Sequence, residues 1–292
     1  MLFTIKDIEN LSGIKAHTKR IWEQRYSFLK PKRSDTNIRY FTNEELKTIL
    51  NIALLNKYGF KISHIDKMSP AILAENVLSL TDSGAKDHLM VNQLLECMVD
   101  YDIENFESIL NKSISTSGLE KTILKIIFPF LEKVGILWVT NHVNPAQEHL
   151  VSNLIRQKII VGIDSVKANS KSSTKVCLFL PEGEYHELAL LLVFYLLKKK
   201  GINTIYLGAH TPFKELETVT EHAKPDYLYT HITSASQNFN FEKFLSGLNK
   251  KFSNYTTVIS GRVANSYLKK LPPKIKFSHS LADVKDFIDA LS

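Results

Sequence analysis

Short apolar runs alternate with amphipathic segments from residue 174 onward, and this alternation constrains the fold more than any other feature. The first three runs lie at 176–180, 204–207 and 227–232, and the helical patterns between them lie at 187–200 and 212–223. Such alternation predicts parallel strands joined by right-handed helical crossovers. We therefore expect a doubly wound parallel α/β sheet that binds ligands at the carboxyl ends of its strands.

The chain before this sheet is helical in pattern and divides at two polar boundaries. Between about 75 and 166, apolar residues recur at spacings of three and four, which is typical of packed helices. One boundary lies near 69–70, and a polar stretch at 167–175 is typical of a linker. A chain of 292 residues is long enough for two or three domains. We predict a multidomain α and α/β protein with domains at 1–70, 75–166 and 174–292.

Positive charge is concentrated at the start of the chain. Residues 1–70 hold 13 Lys and Arg against 7 Asp and Glu, whereas residues 71–292 hold 24 against 23. A basic segment joined to a nearly neutral body is typical of a nucleic-acid-binding module. We therefore look for a DNA-binding motif in the first 70 residues.

Other features restrict the protein class. The longest apolar run, 188–197, is about half a membrane span and ends at three lysines, so we expect no membrane crossing. The first residues lack a basic and then apolar leader, which predicts a cytoplasmic protein. Cys97 and Cys177 are far apart and outside any CxxC pattern, so we expect buried free thiols rather than a disulfide or a zinc site.

The start of the chain has the pattern of a helix-turn-helix. A short helical pattern at 5–11 is followed by a turn at Gly13 and a second helical pattern at 15–24. In this motif the second helix enters the major groove, and side chains near its start reach the base edges. The candidate DNA-contacting residues on that helix are His17, Thr18, Lys19 and Arg20.

A basic, turn-rich loop at 30–40 follows the second helix. It could form a hairpin wing against the DNA phosphates, with Lys32, Arg33, Arg39 and Tyr40 as candidate contacts. A basic run taken alone is more often a solvated face. The recognition helix and the wing occur together here, and the combination favours DNA binding.

These segments resemble the winged-helix DNA-binding domain of the MerR family. The resemblance covers about residues 2–68 and rests on Phe-Thr-Ile at 3–5, Thr-Lys-Arg-Ile-Trp-Glu-Gln-Arg-Tyr at 18–26 and Ile-Arg-Tyr-Phe at 38–41. It implies a dimeric regulator that reads a pseudo-palindromic promoter site. Trp22 is expected in the core, and the metal-sensing branch is disfavoured because its cysteines are missing.

His186 is the histidine with the clearest chemical pattern. It follows the first predicted strand of the sheet, and Glu184 lies two residues before it. Such a histidine can offer one ring nitrogen to a metal while the carboxylate orients the other. A lone histidine in an α/β loop is more often structural or solvated, so this pattern alone does not decide its role.

Residues 75–292 resemble the helical cap and Rossmann-like cobalamin-binding domain of methionine synthase and of light-sensing MerR-type repressors of carotenoid genes. The family pattern is an acidic residue, any residue, His, two residues and Gly, and it corresponds here to Glu184, His186 and Ala189. The resemblance implies that His186 is the lower axial ligand to cobalt. The dimethylbenzimidazole of the cofactor, displaced by that histidine, would then thread into the sheet.

A second pattern of the photoreceptor branch lies in the helical cap. Trp138 is followed after nine residues by Glu148 and His149, as in that branch. The resemblance places these three side chains over the upper face of the corrin. Trp138 could instead anchor the cap core, and Glu148 could be an ordinary carboxylate at a helix start.

The sequence departs from the family at several positions. Ala189 replaces the motif glycine, and Val139 stands where the photoreceptors carry a second histidine, although His142 could substitute. The strand ends that hold the nucleotide tail, Ser-x-Leu and Gly-Gly in the family, correspond to 229–232 and 259–262 here. Larger side chains at these strand ends are expected to narrow the slot for the tail. The candidate cofactor contacts there are Thr230, Ser260 and Gly261.

We interpret the chain as a homo-oligomeric MerR-type regulator of promoter DNA, a repressor and not an enzyme. Cobalamin, in its adenosyl or methyl form, is expected between the helical cap and the Rossmann-like domain and modulates DNA binding. One alternative is a cobalamin-independent regulator whose pocket has decayed into an oligomerisation scaffold. Another is a corrinoid methyl carrier, which would have no use for a DNA-binding head. No role is assigned to His210, His222 or His231.

Overall fold

The computed structural model describes residues 2–28, 31–33, 39–139, 143–167, 172–233 and 239–291. The chain forms two compact units, Met1–Ile155 and Arg156–Ser292. None of the helices in the described ranges is long and apolar enough to span a membrane.

The first unit begins with a winged helix-turn-helix. Its three short strands form an antiparallel sheet in the order β1–β3–β2, so β3 is central. This confirms the predicted fold of the N-terminal segment. The elements are β1 (Phe3–Thr4), α1 (Ile5–Ser12), α2 (Ala16–Arg25), β2 (Lys32–Arg33), β3 (Arg39–Phe41) and α3 (Asn43–Lys57).

Local capping fixes the geometry of the helix-turn-helix. Thr4 and Asp7 form a capping box at the start of α1, each side chain bonding the backbone of the other. Gly13 ends α1 in the left-handed conformation, with φ of 73°, which glycine adopts without strain. Trp22 on α2 is 7% exposed and packs edge-on against Phe28. Its predicted place in the core is confirmed.

The rest of the first unit is a bundle of helices, as the apolar spacing predicted. Its buried side chains come from every long helix and include Leu94, Phe106 and Phe130. One π-helical turn, Ile123–Ile127, lies between α8 and α9. The helices are α4 (Ile62–Ile65), α5 (Pro70–Leu78), α6 (Ser83–Asp100), α7 (Ile103–Ser117), α8 (Leu119–Thr122), α9 (Phe128–Val139) and α10 (Pro145–Asp164), the last of which continues into the second unit.

The second unit contains a five-stranded parallel sheet in the order β5–β4–β6–β7–β8. This confirms the predicted doubly wound sheet. Its elements are β4 (Lys175–Pro181), α11 (Leu188–Lys199), β5 (Asn203–Thr211), α12 (Phe213–Ala223), β6 (Tyr227–His231), α13 (Phe241–Lys251), β7 (Thr256–Ser260), α14 (Arg262–Ser266), β8 (Ile275–Ser278) and α15 (Leu281–Asp289).

The strand order places a crevice at the carboxyl ends of β4 and β6. The chain leaves β4 toward β5 on one side and returns to β6 on the other, so the connections diverge there. This is the switch point at which open α/β sheets bind ligands. The loop after β4 contains Glu184 and His186, and the sheet therefore sets these two residues at the crevice.

Side chains alternate between the two faces of the sheet. Leu228 on β6 and Ile232, the residue after β6, belong to a core shared with α12 and α13. Tyr227 and Tyr229 point to the opposite face, where both contact the ring of Phe287 on α15. The face toward α15 is the one that carries the largest side chains of β6.

The edge strand β8 was missed by the sequence analysis. Its four residues alternate apolar and polar, with Ile275 buried and Lys276 exposed, and two prolines precede it. A run so short has too few apolar residues to be recognised as a strand. Its pairing with β7 identifies it in the structure.

Substitution of Gly261 tests the close backbone packing between the ends of β6 and β7. Gly261 has φ of 101° and ψ of −179°, and a Cβ there would lie 2.4 Å from the carbonyl oxygen of Ile232. We expect Gly261→Ala to lower the free energy of unfolding by at least ~2 kcal/mol. Gly208→Ala is the matched control: Gly208 also has positive φ, but its Cβ would meet only ordinary contacts, so we expect a cost of about 1 kcal/mol. Urea unfolding followed by circular dichroism measures both, and equal costs would contradict the clash.

Candidate nucleic-acid interface and ligand site

The exposed face of α2 is the candidate recognition surface. His17, Arg20, Ile21 and Gln24 are exposed and recur at the spacing of one helix face. Thr18 is half-buried, with its hydroxyl 3.3 Å from Nε2 of His17. His17 and Arg20 are thus exposed, as predicted DNA contacts must be. Ile21 and Gln24 were missed, although helical spacing from His17 would have found them.

Lys19 does not lie on that surface. Its side chain is 1% exposed, and Nζ has no hydrogen-bond partner within the described part of the chain. Burial lowers the pKa of Lys19 to about 8, against the opposing effect of the nearby Glu9 carboxylate. The predicted contact of Lys19 with DNA bases therefore disagrees with its position in this structure, because α2 turns this residue inward beside Trp22.

The base of the wing is tied to α2 through Glu23. Nε of Arg39 donates to Oε2 of Glu23 at 2.8 Å, and Nη2 of Arg33 lies 3.9 Å from the same carboxylate. Lys32 and Arg33 are exposed, and Tyr40 is half-buried. Arg39 is thus already paired within the protein, which the sequence could not indicate. The rest of the predicted wing, 34–38, lies outside the described residues.

In the second unit, the Glu184 carboxylate organises the loop after β4. It is 1% exposed. Its Oε1 accepts hydrogen bonds from the backbone N–H groups of Tyr185 and His186, both at 2.9 Å. Its Oε2 accepts from the N–H of Thr233 at 2.9 Å, which joins this loop to the end of β6. A buried carboxylate is tolerated when it is hydrogen-bonded in this way.

Glu184 also fixes the ring of His186. Nδ1 of His186 lies 2.6 Å from Oε1 of Glu184, while the imidazole is more than half exposed. A carboxylate on Nδ1 sets the tautomer and directs Nε2 as the nitrogen that would bind a metal. The pair predicted from the sequence is therefore brought together in the loop after β4.

His210 supports the same loop from β5. Its Nδ1 accepts from the N–H of Gly183 at 3.1 Å and lies 2.9 Å from the hydroxyl of Tyr185, whose ring stacks on the imidazole. The backbone of His210 has φ of 53°, an uncommon conformation for a side-chain-bearing residue. The sequence analysis gave His210 no partner, because a residue at the end of another strand has no local signal.

Side chains around the start of α11 contact other residues of the second unit. Glu187 pairs with Arg156 and accepts from the hydroxyl of Tyr206 at 2.9 Å. Ala189 is half-buried in the first turn of α11. Its methyl group is accommodated in the fold, so the departure from glycine does not disrupt the helix.

The strand ends that correspond to the family's tail slot carry large side chains. The hydroxyl of Tyr229 lies 2.6 Å from Oγ of Ser260, and Nδ1 of His231 lies 2.8 Å from the same oxygen. Burial lowers the pKa of His231 to about 4, so its ring is neutral near pH 7. His231, which had no assigned role, belongs to this cluster. The predicted narrowing of the slot agrees with these contacts.

Thr230 and Gly261 are the two other candidate cofactor contacts at these strand ends. Thr230 is fully buried, and its Oγ1 has no hydrogen-bond partner within the described residues. Strand alternation places Thr230 on the face of Leu228, away from Tyr229. Gly261 makes the close approach to Ile232 described above. The sequence identified both positions but not the directions of their side chains.

The candidate cap residues lie at the end of α9 and the start of α10 in the first unit. Trp138 is 47% exposed, which disagrees with a role as a core anchor. Oε2 of Glu148 lies 3.0 Å from Nδ1 of His149. Gln147 anchors the start of α10, because its buried amide donates to the carbonyl oxygens of Met98 and Val99 at the end of α6.

His142 and the side chain of Val139 lie outside the described residues. Whether His142 substitutes for the second histidine of the photoreceptors therefore stays a prediction. In the described ranges, no group of three or more His, Cys, Asp and Glu side chains could hold a metal ion. Cys97 and Cys177 are buried free thiols as expected, and burial raises the pKa of Cys97 to about 11.

Comparisons with known proteins find two family matches and two similar repressors. Residues 3–72 match the family described as MerR HTH family regulatory protein, and residues 90–161 match the B12 binding domain. The HTH-type transcriptional repressors CarA and CarH of Myxococcus xanthus are 24% and 23% identical to this chain, cover 93% and 91% of it, and are each matched over 90% of their own length. The chain is thus similar to these repressors over most of its length.

A solved structure shows the same fold in part. The monomethylamine corrinoid protein of Methanosarcina barkeri is 12% identical, with a TM-score of 0.55 over 70% of this chain and 99% of that chain. At this identity the likeness concerns the fold alone. It supports the Rossmann-like architecture of the parallel sheet.

Lys19 and Lys133 of the first unit predict how its stability depends on pH. Lys133 on α9 donates to the carbonyl oxygen of Leu11 at 2.8 Å and to Oδ1 of Asn92 at 3.1 Å, and burial lowers its pKa to about 8, as for Lys19. Each amine binds a proton more readily in the unfolded chain. The free energy of unfolding should therefore rise between about pH 8 and about pH 10.5, the ordinary pKa of lysine.

Lys19→Met should remove part of that rise and stabilise the unit near pH 7, because Lys19 loses no hydrogen bond. Lys133→Met should also flatten the pH dependence but lower stability, because Lys133 has two partners. Urea unfolding followed by Trp22 fluorescence in a Trp138→Phe background measures both. A wild-type stability that falls between pH 8 and pH 10 would contradict the assignment.

Proposed function

Because this chain joins a MerR-type helix-turn-helix domain to a B12-binding domain, we propose that it is a homo-oligomeric repressor of promoter DNA whose activity is modulated by cobalamin. The observation that carries the proposal is the Glu184–His186 pair at the switch point of the sheet, in a chain that starts with a basic winged helix. We assign DNA binding to 1–70, the helical cap to 75–166 and the Rossmann-like part to 174–292.

DNA binding rests on α2 and the wing. The α2 face of His17, Arg20, Ile21 and Gln24 enters the major groove, where Arg20 reaches a base edge. Lys32 and Arg33 contact phosphates, because their exposed side chains lie at the base of the wing. Arg39 contacts a phosphate only by exchanging its Glu23 partner. The oligomer would engage two half-sites of a pseudo-palindromic operator.

Ligand binding rests on His186. Cobalamin would supply a cobalt centre that a protein imidazole can bind. Nε2 of His186 would hold the cobalt, and Glu184 would keep the ring in the required tautomer. Trp138, Glu148 and His149 are the proposed contacts of the cap with the corrin, since Trp138 offers an exposed aromatic surface.

Regulation follows from a population shift rather than from turnover of a substrate. A ligand that binds one assembly state more tightly than another changes how many DNA-binding heads are joined in one particle. Two joined heads bind a double operator far more tightly than one, through effective concentration. The named relatives are repressors, and this mechanism requires no enzymatic step.

The DNA contact is tested by Arg20→Ala. Loss of one bidentate base contact should weaken operator binding by about ten- to a hundredfold. DNA selected by the full-length protein from a random pool serves as the operator in a gel-shift titration. Lys121→Ala is the control, because Lys121 is an exposed lysine outside the winged helix and removes the same charge. Equal losses for the two variants would contradict a specific role of Arg20.

The ligand contact is tested by His186→Ala. Equilibrium dialysis of the full chain against adenosylcobalamin in the dark should give at least a roughly tenfold loss of affinity. His222→Ala is the control, because His222 is an exposed histidine on α12 whose ring bonds only its own helix. Retained operator binding by both variants would show that the fold is intact.

The same dialysis separates the alternatives. A decayed pocket predicts no binding of adenosylcobalamin or of any other corrinoid, with operator binding unaffected. A methyl carrier predicts corrinoid binding without selection of any DNA sequence from the pool. Either result would overturn the proposed function.

A further inference from the structure

Tyr229, His231 and Ser260 form a hydrogen-bonded group that we call the strand-end cluster. Tyr229 is fully buried and Ser260 is 3% exposed. The serine Oγ is the shared partner, 2.6 Å from the tyrosine hydroxyl and 2.8 Å from Nδ1 of His231. Because His231 is neutral near pH 7, the bonds can run from the tyrosine hydroxyl to serine and from serine to histidine. The two hydroxyl groups and Nδ1 of His231 are therefore hydrogen-bonded to one another.

The cluster lies beside the His186 site. Thr233, two residues after His231, donates its N–H to Glu184, which in turn holds His186. Strand alternation puts Tyr229 and His231 on the face that packs against α15, and the ring of Tyr229 lies 6.0 Å from that of Phe287. The layer between the strand ends and α15, next to the His186 loop, is thus filled by protein side chains.

The cluster lies within 229–232 and 259–262, the strand ends that correspond to Ser-x-Leu and Gly-Gly in the family resemblance, which implies a slot for the nucleotide tail there. Tyr229, His231 and Ser260 are the side chains that meet at these strand ends here. The backbone leaves no additional space there, because Gly261 already lies close to Ile232. A bulky benzimidazole in this layer would have to displace a buried tyrosine and leave buried polar atoms without partners, which is costly.

We propose that the strand-end cluster closes the layer beside His186, so that this chain selects a corrinoid that lacks the bulky lower nucleotide over complete cobalamin. The inference rests on the proposed function, because it refines which corrinoid the His186 site accepts. The ligand class is a cobalt corrin ring with a short lower side chain. His186 supplies the lower nitrogen ligand that such a ring does not carry itself.

The wild-type protein gives the first test. Equilibrium dialysis of the full chain in the dark compares adenosylcobinamide, which has no nucleotide, with adenosylcobalamin. We expect adenosylcobinamide to bind at least about tenfold more tightly. Its absorbance should change on binding, because the imidazole of His186 replaces water on cobalt, and His186→Ala should abolish that change.

The triple variant Tyr229→Ser, His231→Leu, Ser260→Gly gives the second test. Opening the layer should bring the two affinities to within about threefold of each other, mainly by strengthening adenosylcobalamin binding. Tyr227→Ser is the matched control: Tyr227 lies two residues earlier on the same face of β6 and contacts the same Phe287. It should leave the affinity ratio unchanged, and circular dichroism checks that both variants fold.

The outcomes separate this inference from the proposed function. Adenosylcobalamin binding as tightly as adenosylcobinamide, or more tightly, would overturn the inference and leave the proposed function intact. An affinity ratio that collapses equally in Tyr227→Ser would overturn the role of the strand-end cluster. Failure of both corrinoids to bind would overturn the two proposals together.

Discussion

The buried carboxylate of Glu184 is the interaction on which the α/β unit's site depends. It accepts from two consecutive backbone N–H groups of its own loop, from the ring of His186 and from the N–H of Thr233 after β6. These bonds join the ends of β4 and β6, the two strands whose connections diverge. The buried carboxylate of Glu184 therefore fixes the loop at the base of the crevice and also orients the ring of His186. Its removal would leave three backbone N–H groups without this partner, so the geometry of the loop and the orientation of His186 are set together.

Part of the positive charge of the winged helix is buried or paired within the protein. Of the positive side chains around α2, Arg20 is exposed, Lys19 is buried beside the core, and Arg39 is paired with Glu23. The net charge of the segment therefore overstates what it offers to DNA. The Glu23–Arg39 pair holds β3 against α2, which orients the wing relative to the recognition helix. A phosphate that competes for Arg39 would loosen this link, so contacts in the groove and on the wing are coupled.

The sequence predicted the winged helix, the helical segment and the parallel sheet, because each has a local signal: the glycine turn at Gly13, apolar spacing, and alternating strands and helices. The Glu184–His186 pair was also predictable, since both residues lie in one loop. The burial of Lys19 was not, because α2 is polar on nearly every side and its inward face is set by packing of α1. The partners of His210 and His231 come from other strands, and only the folded sheet brings them together. The domain boundaries stay predictions.

The closed layer has a consequence for regulation. A ligand shifts an assembly equilibrium only by its difference in affinity between the two states, however tightly it binds overall. A nucleotide tail buried within the α/β unit would add affinity in every assembly state that keeps that unit folded, and so would add little to this difference. If the layer is closed as proposed, ligand binding would depend instead on His186 and on the groups that contact the corrin faces. The ring of His186 is more than half exposed after β4, where a change of assembly can reach it. The proposed loss of the slot is therefore compatible with a sensor, because it removes affinity that does no switching.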